Sequence, residues 1–196
     1  AFAAEFPVLT FGSGPTNSMR GAAFLSGVQD AIVMDVGGTT TDIGALVHGF
    51  PRESSIAVEM GGVRTNFRMP DLLSIGLGGG TRIHLDGGDI RVGPDSVGFR
   101  LFEDAYLFGG RTLTASDIGV KAGLASFGDP TRVPAYSARV IAQILERFRL
   151  IFEEGIDLVH LVALALGCRE LLVADVLGGQ GHESHLCGRY CVRSAA

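Results

Sequence analysis

The run Asp35-Val-Gly-Gly-Thr-Thr-Thr-Asp-Ile-Gly44 concentrates backbone freedom, hydroxyl donors and two carboxylates in one short stretch. Gly37 and Gly38 carry no Cβ, so the backbone there can turn successive N–H groups toward a common point, as a nest that binds an anion does. The hydroxyls of Thr39, Thr40 and Thr41 would add further donors to phosphate oxygens. Asp35 and Asp42 bracket the turn and could hold Mg²⁺ through its waters or orient an attacking water, which makes them the candidate metal ligands and catalytic groups. A plain hairpin turn would also use glycines and a capping Asp. Three consecutive threonines and a second carboxylate are what favour phosphate over that simpler account.

Other residues carry weaker signals. Gly76-Leu-Gly-Gly-Gly-Thr81 is a second glycine-rich turn, and Gly78, Gly79 and Gly80 read equally as a wall of a nucleotide or substrate cleft and as a tight approach to a hairpin. Arg64, Arg68 and Asp71 precede it. A guanidinium there can clamp a substrate carboxylate or phosphate, and surface ion pairing explains the same residues nearly as well. Thr114 and Asp117 fit a helix capping box, which accounts for Asp117 without a catalytic role. In the tail, His182, His185, Cys187 and Cys191 lie close together. Their spacing is unlike zinc ribbons or fingers, so chance clustering is the simpler reading.

The elements that must position these residues follow from apolar periodicity. Residues 6–11 and 31–36 are apolar, β-branched-rich runs bounded by Gly, Pro or Asp and read as buried strands; residues 15–26 between them read as a helix stopped by Gly27. Residues 43–47 resume an apolar run, so 31–48 is a hairpin with the Gly/Thr turn at its tip. Residues 82–92 alternate polar and apolar around Gly87-Gly88 and form a second hairpin. A helix is expected from the Thr114 cap to about residue 126. Ile141, Ile144, Leu145, Phe148, Ile151 and Phe152 recur at three- and four-residue intervals, which predicts a long amphipathic helix. Gly155 is expected to end it, with 158–166 returning as a core strand. The order points to an α/β sheet of mixed direction covered by helices.

Composition narrows the partners. The chain has 196 residues, 46% of them hydrophobic and 19% charged, as expected of a folded protein despite its 29 glycines. With a net charge of −5 and no run of Lys or Arg, it has no electrostatic footprint for nucleic acid or an anionic membrane. No apolar run approaches a bilayer span and no secretory leader opens the chain, so a cytoplasmic location is the expectation. All three cysteines, Cys168, Cys187 and Cys191, lie near the end and cannot form a disulfide framework for the whole domain. The chain begins with Ala1 and enters apolar sequence at once, which suggests a piece of something longer.

The Asp35–Gly44 run resembles a phosphate loop of the actin, sugar kinase and heat-shock chaperone ATPase superfamily. GSGPTNSMRGAAFLSG from Gly12, GGVRTNFRMPDLLSIGLGGGT from Gly61, VGPDSVG from Val92 and TLTASDIGVKAG from Thr112 all resemble the hydantoinase A branch of the hydantoinase/oxoprolinase family, in the family's order. The resemblance implies one half of a two-half RNase H-like core, with residues 1–177 as the nucleotide-binding part and 178–196 as an atypical tail. It implies ATP and Mg²⁺ as cofactors and a cyclic amide or related carbonyl as substrate, as in N-methylhydantoinases, 5-oxoprolinases and ketone carboxylases, with a partner subunit or a second copy. Such proteins carry two Asp-Gly-Gly-Thr loops, and the preceding GSGPTNSMRGA matches Asp35–Gly44 to the second. An isolated fragment with one loop is not expected to turn over substrate. A non-catalytic ATP-binding or scaffold module and a folded remnant without ligand are the alternatives. After the late apolar segment, Cys168, Arg169 and Ala174 depart from the family's triple glycine and proline.

Overall fold

The computed structural model describes residues 2–10, 12–54, 59–60, 62–64, 69–165, 170–175 and 187–191. In chain order the elements are α1 (Phe2–Glu5), a 3₁₀ turn (Pro7–Thr10), α2 (Ser13–Ser26), β1 (Ala31–Val36), β2 (Thr41–Val47), β3 (Phe50–Pro51), β4 (Glu59–Met60), β5 (Val63–Arg64), β6 (Leu72–Ile75), β7 (Thr81–Asp86) and β8 (Asp89–Ser96). There follow α3 (Leu101–Asp104) between two further 3₁₀ turns, α4 (Ala115–Lys121), α5 (Ala138–Ala165), β9 (Glu170–Asp175) and β10 (Cys187–Cys191). No helix among the described residues is long and apolar enough to cross a membrane.

The main sheet runs β10-β9-β1-β2-β3, with β6 also paired to β2. β1 pairs antiparallel with β2 and parallel with β9, so the sheet has the mixed direction expected. β1 is apolar on both faces because both are covered. Ala31 and Val33 meet Met19, Ala22 and Ala23 of α2, while Ile32 and Met34 on the other face pack with Ile43, Ala45 and, from α5, Phe152 and Ile156. α2 ends at Gly27, whose φ of 72° is a left-handed conformation that costs glycine little and whose N–H caps the Ala23 carbonyl. A second cluster joins the β7–β8 hairpin, α4 and the first half of α5 through Ile83, Ile118, Val120 and Ile144. Gly87 and Gly88, at φ 58° and 104°, make the tight turn of that hairpin.

Three expectations change. Residues 7–10 form a 3₁₀ turn where a strand was expected: Pro7 suits the first position of a helical turn, and the Thr10 hydroxyl closes it on the Pro7 carbonyl at 2.7 Å. α4 stops at Lys121, short of residue 126, where Gly123 adopts φ 75°. α5 passes through Gly155 and continues to Ala165, so residues 158–165 are helix and β9 supplies the core strand. Gly155 is a close-approach residue: a Cβ there would lie 2.8 Å from Ile43 Cδ1. Within the tail set apart at 178–196, residues 187–191 form β10, antiparallel to β9 at the sheet edge.

Candidate functional site

The Gly/Thr turn sits at the tip of the β1–β2 hairpin. Gly37 N–H donates to the Thr40 carbonyl at 2.9 Å and closes the bend. Gly38, Thr39 and Thr40 are exposed, and their three amides donate to nothing among the described residues. These are three of the donors that the sequence suggested for a phosphate; Gly37, also expected among them, spends its amide inside the turn. Thr41 differs from the expectation. It is fully buried on the α5 face and its hydroxyl donates to the Leu77 carbonyl at 2.5 Å, so it anchors the turn to the next glycine segment and offers no free donor to a ligand.

Asp35 and Asp42 are directly opposed Cα partners across β1 and β2, and Asp42 in turn opposes Ser74 on β6. Opposed residues share a face, so the three stand in a row on the α2 side of the sheet, with Ala174 of β9 next to Asp35. The Ser74 hydroxyl donates to Asp42 Oδ1, whereas the Asp35 carboxylate has no hydrogen-bond partner among the described residues. No group of three or more His, Cys, Asp or Glu able to hold a metal occurs among those residues. Two carboxylates suffice for Mg²⁺, which keeps several waters and takes its remaining ligands from substrate phosphates. α2 returns into β1 through four residues and packs Met19 against Gly44, so it runs antiparallel to β1 and directs its N-terminal end, where the macrodipole is positive, toward the turn.

Gly78, Gly79 and Gly80 are brought against the turn, and their amides are all occupied. Gly78 N–H donates to Thr81 Oγ1 at 2.8 Å, Gly79 N–H to the Gly37 carbonyl at 3.0 Å and Gly80 N–H to the Gly38 carbonyl at 2.6 Å. Their amides therefore buttress the turn and are not free donors for a cofactor. A Cβ at Gly78 would stand 2.5 Å from the Gly37 carbonyl oxygen and 2.8 Å from Thr39 N, which is why this position needs glycine. On the α5 side of the sheet an apolar cavity of about 250 Å³ adjoins the turn, lined by Val36, Gly37, Gly79, Phe127, Phe148 and Phe152 among others. It lies on the opposite face from the two carboxylates.

Of the residues suggested for a substrate clamp, Arg64 and Asp71 are described. The Asp71 carboxylate is taken by Arg52, a partner the sequence gave no reason to choose, and Arg64 lies on the separate β4–β5 ladder. Arg68 lies outside the described residues, as do Cys168, His182 and His185. Ser74 is the residue that sequence reasoning missed; its place in the stretch before Gly76 was the available signal. Asp117 is buried and accepts from Leu107 N, Thr114 N and Thr114 Oγ1, each at 2.8 Å, so it is structural.

A helix-flanked mixed sheet whose central hairpin carries a propped glycine-threonine turn, with two carboxylates side by side on the strands below it, defines an α/β domain with a candidate anion-binding turn. The model of the Hydantoinase/oxoprolinase family matches residues 1–125, more than half of the chain, and the chain belongs to that family. It is 30% identical over 119 residues to the acetophenone carboxylase gamma subunit of Aromatoleum aromaticum, a match covering 58% of this chain and 16% of the relative. The structure of an ATP-dependent caprolactamase from Pseudomonas jessenii superposes with a TM-score of 0.57 at 20% identity, covering 81% of this chain and 30% of the other. A nucleotide-free acetone carboxylase matches with a TM-score of 0.47 at 23% identity over 59% of this chain and 18% of its own. The chain thus spans less than a third of each of these relatives.

Proposed function

We propose that residues 1–177 are the second phosphate-binding half of an ATP-dependent enzyme that opens a cyclic amide, of the N-methylhydantoinase or 5-oxoprolinase kind. The observation that carries this reading is the set of three adjacent, unengaged amides at Gly38, Thr39 and Thr40, held by a buttress behind them and fronted by Asp35 and Asp42. The amides bind polyphosphate oxygens. Asp42, fixed by Ser74, and the unpartnered Asp35 would hold Mg²⁺ through its waters, or Asp35 would orient the water that opens the ring. Bound Mg-ATP supplies a phosphoryl group that makes the carbonyl a better electrophile and a cation that neutralises developing charge. The other half of the phosphate clamp comes from the first loop of the parent protein, and the cytoplasm, where ATP is plentiful, is its place of work.

A second reading, a subunit of an ATP-dependent ketone carboxylase, is favoured by the 30% identity to the acetophenone carboxylase gamma subunit. It uses the same turn and requires a partner subunit. Melting of the chain in Mg-ATP tests the common part: at a hundred times the dissociation constant, binding adds about 2.7 kcal/mol, and a D35N/D42N double variant should lose most of that. An unchanged melting temperature at millimolar Mg-ATP would remove both readings. Parent protein supplied with cyclic amides, or with ketone and bicarbonate, each with and without ATP, separates the two. Binding without turnover in either assay would leave a non-catalytic ATP-binding module.

A further inference from the structure

The polar face of the β7–β8 hairpin is outside the site just described, and around Asp95 it gathers more positive than negative charge, with Asp86 and Asp89 paired nearer the hairpin turn. His84 and Arg91 are cross-strand partners, and Arg82 lies two residues from His84 on the same face. Asp95 sits among them. His84 Nε2 is 2.9 Å from Asp95 Oδ1, while Arg91 Nη1 and Arg82 Nε stand 3.7 and 3.8 Å from its oxygens. Of these three groups His84 alone makes a hydrogen bond to the carboxylate; Arg91 Nη1 donates to the Gly93 carbonyl at 3.1 Å. Arg82 Nε is buried and has no hydrogen-bond partner among the described residues.

Two guanidiniums and an imidazole therefore share one carboxylate, and a desolvated N–H of a charged group is left without an acceptor, an arrangement that folded proteins rarely tolerate. The side chains are between a quarter and six tenths exposed, so a small molecule can reach this face, though not the enclosed Arg82 Nε itself without a shift of the side chain. Planar guanidiniums beside an imidazole are matched to the oxygens of a carboxylate or phosphate.

We propose that this face is an oxyanion site, in which Arg82, His84 and Arg91 receive a carboxylate or phosphate-type group and Asp95 is the internal anion that the ligand displaces or shares. The proposal does not depend on nucleotide binding at the turn. The two sites are joined through Ser96, next to Asp95: a Cβ at Gly80 would lie 2.9 Å from Ser96 Oγ, and Gly80 N–H supports the Gly38 carbonyl.

The test is NMR titration of the 196-residue chain with inorganic phosphate and, separately, with acetate at constant ionic strength, following the Arg82 Nε–H and the His84 ring. Saturable shifts at these nuclei are expected, and the tighter of the two anions identifies the ligand chemistry. R91Q, which removes an exposed side chain, should weaken binding about tenfold, and D95N should tighten it several-fold by removing the competing anion. No saturable shift of these nuclei with either anion would overturn the proposal. So would an affinity that D95N leaves unchanged or lowers, because an ion-pair network of purely structural use would lose order without gaining a ligand. Shifts confined to Gly38–Thr40 would likewise overturn it while leaving the turn's role standing.

Discussion

Gly78→Ala is the most informative perturbation of the buttress. The added methyl would lie 2.5 Å from the Gly37 carbonyl oxygen, 2.8 Å from Thr39 N and 2.9 Å from Gly38 C, all backbone atoms that cannot swing aside. If the turn holds its place, overpacking of this kind costs about 1–3 kcal/mol. If it recedes, the Gly79-to-Gly37 and Gly80-to-Gly38 hydrogen bonds lengthen or break, and at about 0.5–1.5 kcal/mol each they also come to about 1–3 kcal/mol. Both routes predict a comparable loss, which at a urea dependence near 2 kcal/mol/M lowers the unfolding midpoint by about 1 M. Urea denaturation with amide exchange on the same samples is the assay, and exchange should quicken at Gly37, Gly79 and Gly80, whose amides make the bonds at stake, more than elsewhere. A midpoint and exchange pattern equal to those of the parent chain would refute the claim that the second glycine segment props the first.

Other consequences can be checked on the same footing. Gly21→Ala, inside α2 where a Cβ meets nothing within 4 Å, should raise stability by about 0.5–1 kcal/mol in urea denaturation, because alanine loses less backbone freedom on helix formation. Asp117→Ala should cost about 3–5 kcal/mol by thermal or urea unfolding, since the buried Leu107 and Thr114 amides and the Thr114 hydroxyl all lose their acceptor. Gly155→Leu should cost about 1–3 kcal/mol by forcing α5 off Ile43, and a neutral result would mean the helix is not seated on β2 as described. Asp95 is held below the usual carboxylate range, first by its hydrogen bond from His84 and then by nearby positive charge, against some desolvation. Its contribution is therefore complete above about pH 4 and lost as pH falls through the depressed folded value, and D95N should flatten that acid-side slope in a pH series of unfolding midpoints.

Much of this arrangement could be read from residue order. The β1–β2 hairpin, the Gly27 stop, the Gly87-Gly88 turn and the Thr114–Asp117 cap are local devices, each set by residues a few positions apart. What escaped depended on distant neighbours. Gly155 looks like a helix stop until Ile43 is known to lie against it, and then it is the residue that lets α5 approach the sheet. Residues 7–10 carry a strand's composition, but Pro7 at the head of a turn governs their conformation. Thr41 is indistinguishable from Thr39 and Thr40 by sequence; the two-residue alternation of β2 turns it into the core while its neighbours stay exposed. Similarly, nothing local announces that the amides of Gly78, Gly79 and Gly80 are spent on Thr81 and on the first turn, or that Ser74 holds Asp42.

The most direct test of the central claim is backbone NMR of the chain titrated with Mg-ATP. Binding by the turn predicts that the amides of Gly38, Thr39 and Thr40 shift first and furthest, with Asp35 and Asp42 following when Mg²⁺ is added to bound nucleotide. Saturation accompanied by shifts elsewhere, such as along Phe127, Phe148 and Phe152 of the apolar cavity, with those three amides unmoved, would contradict it.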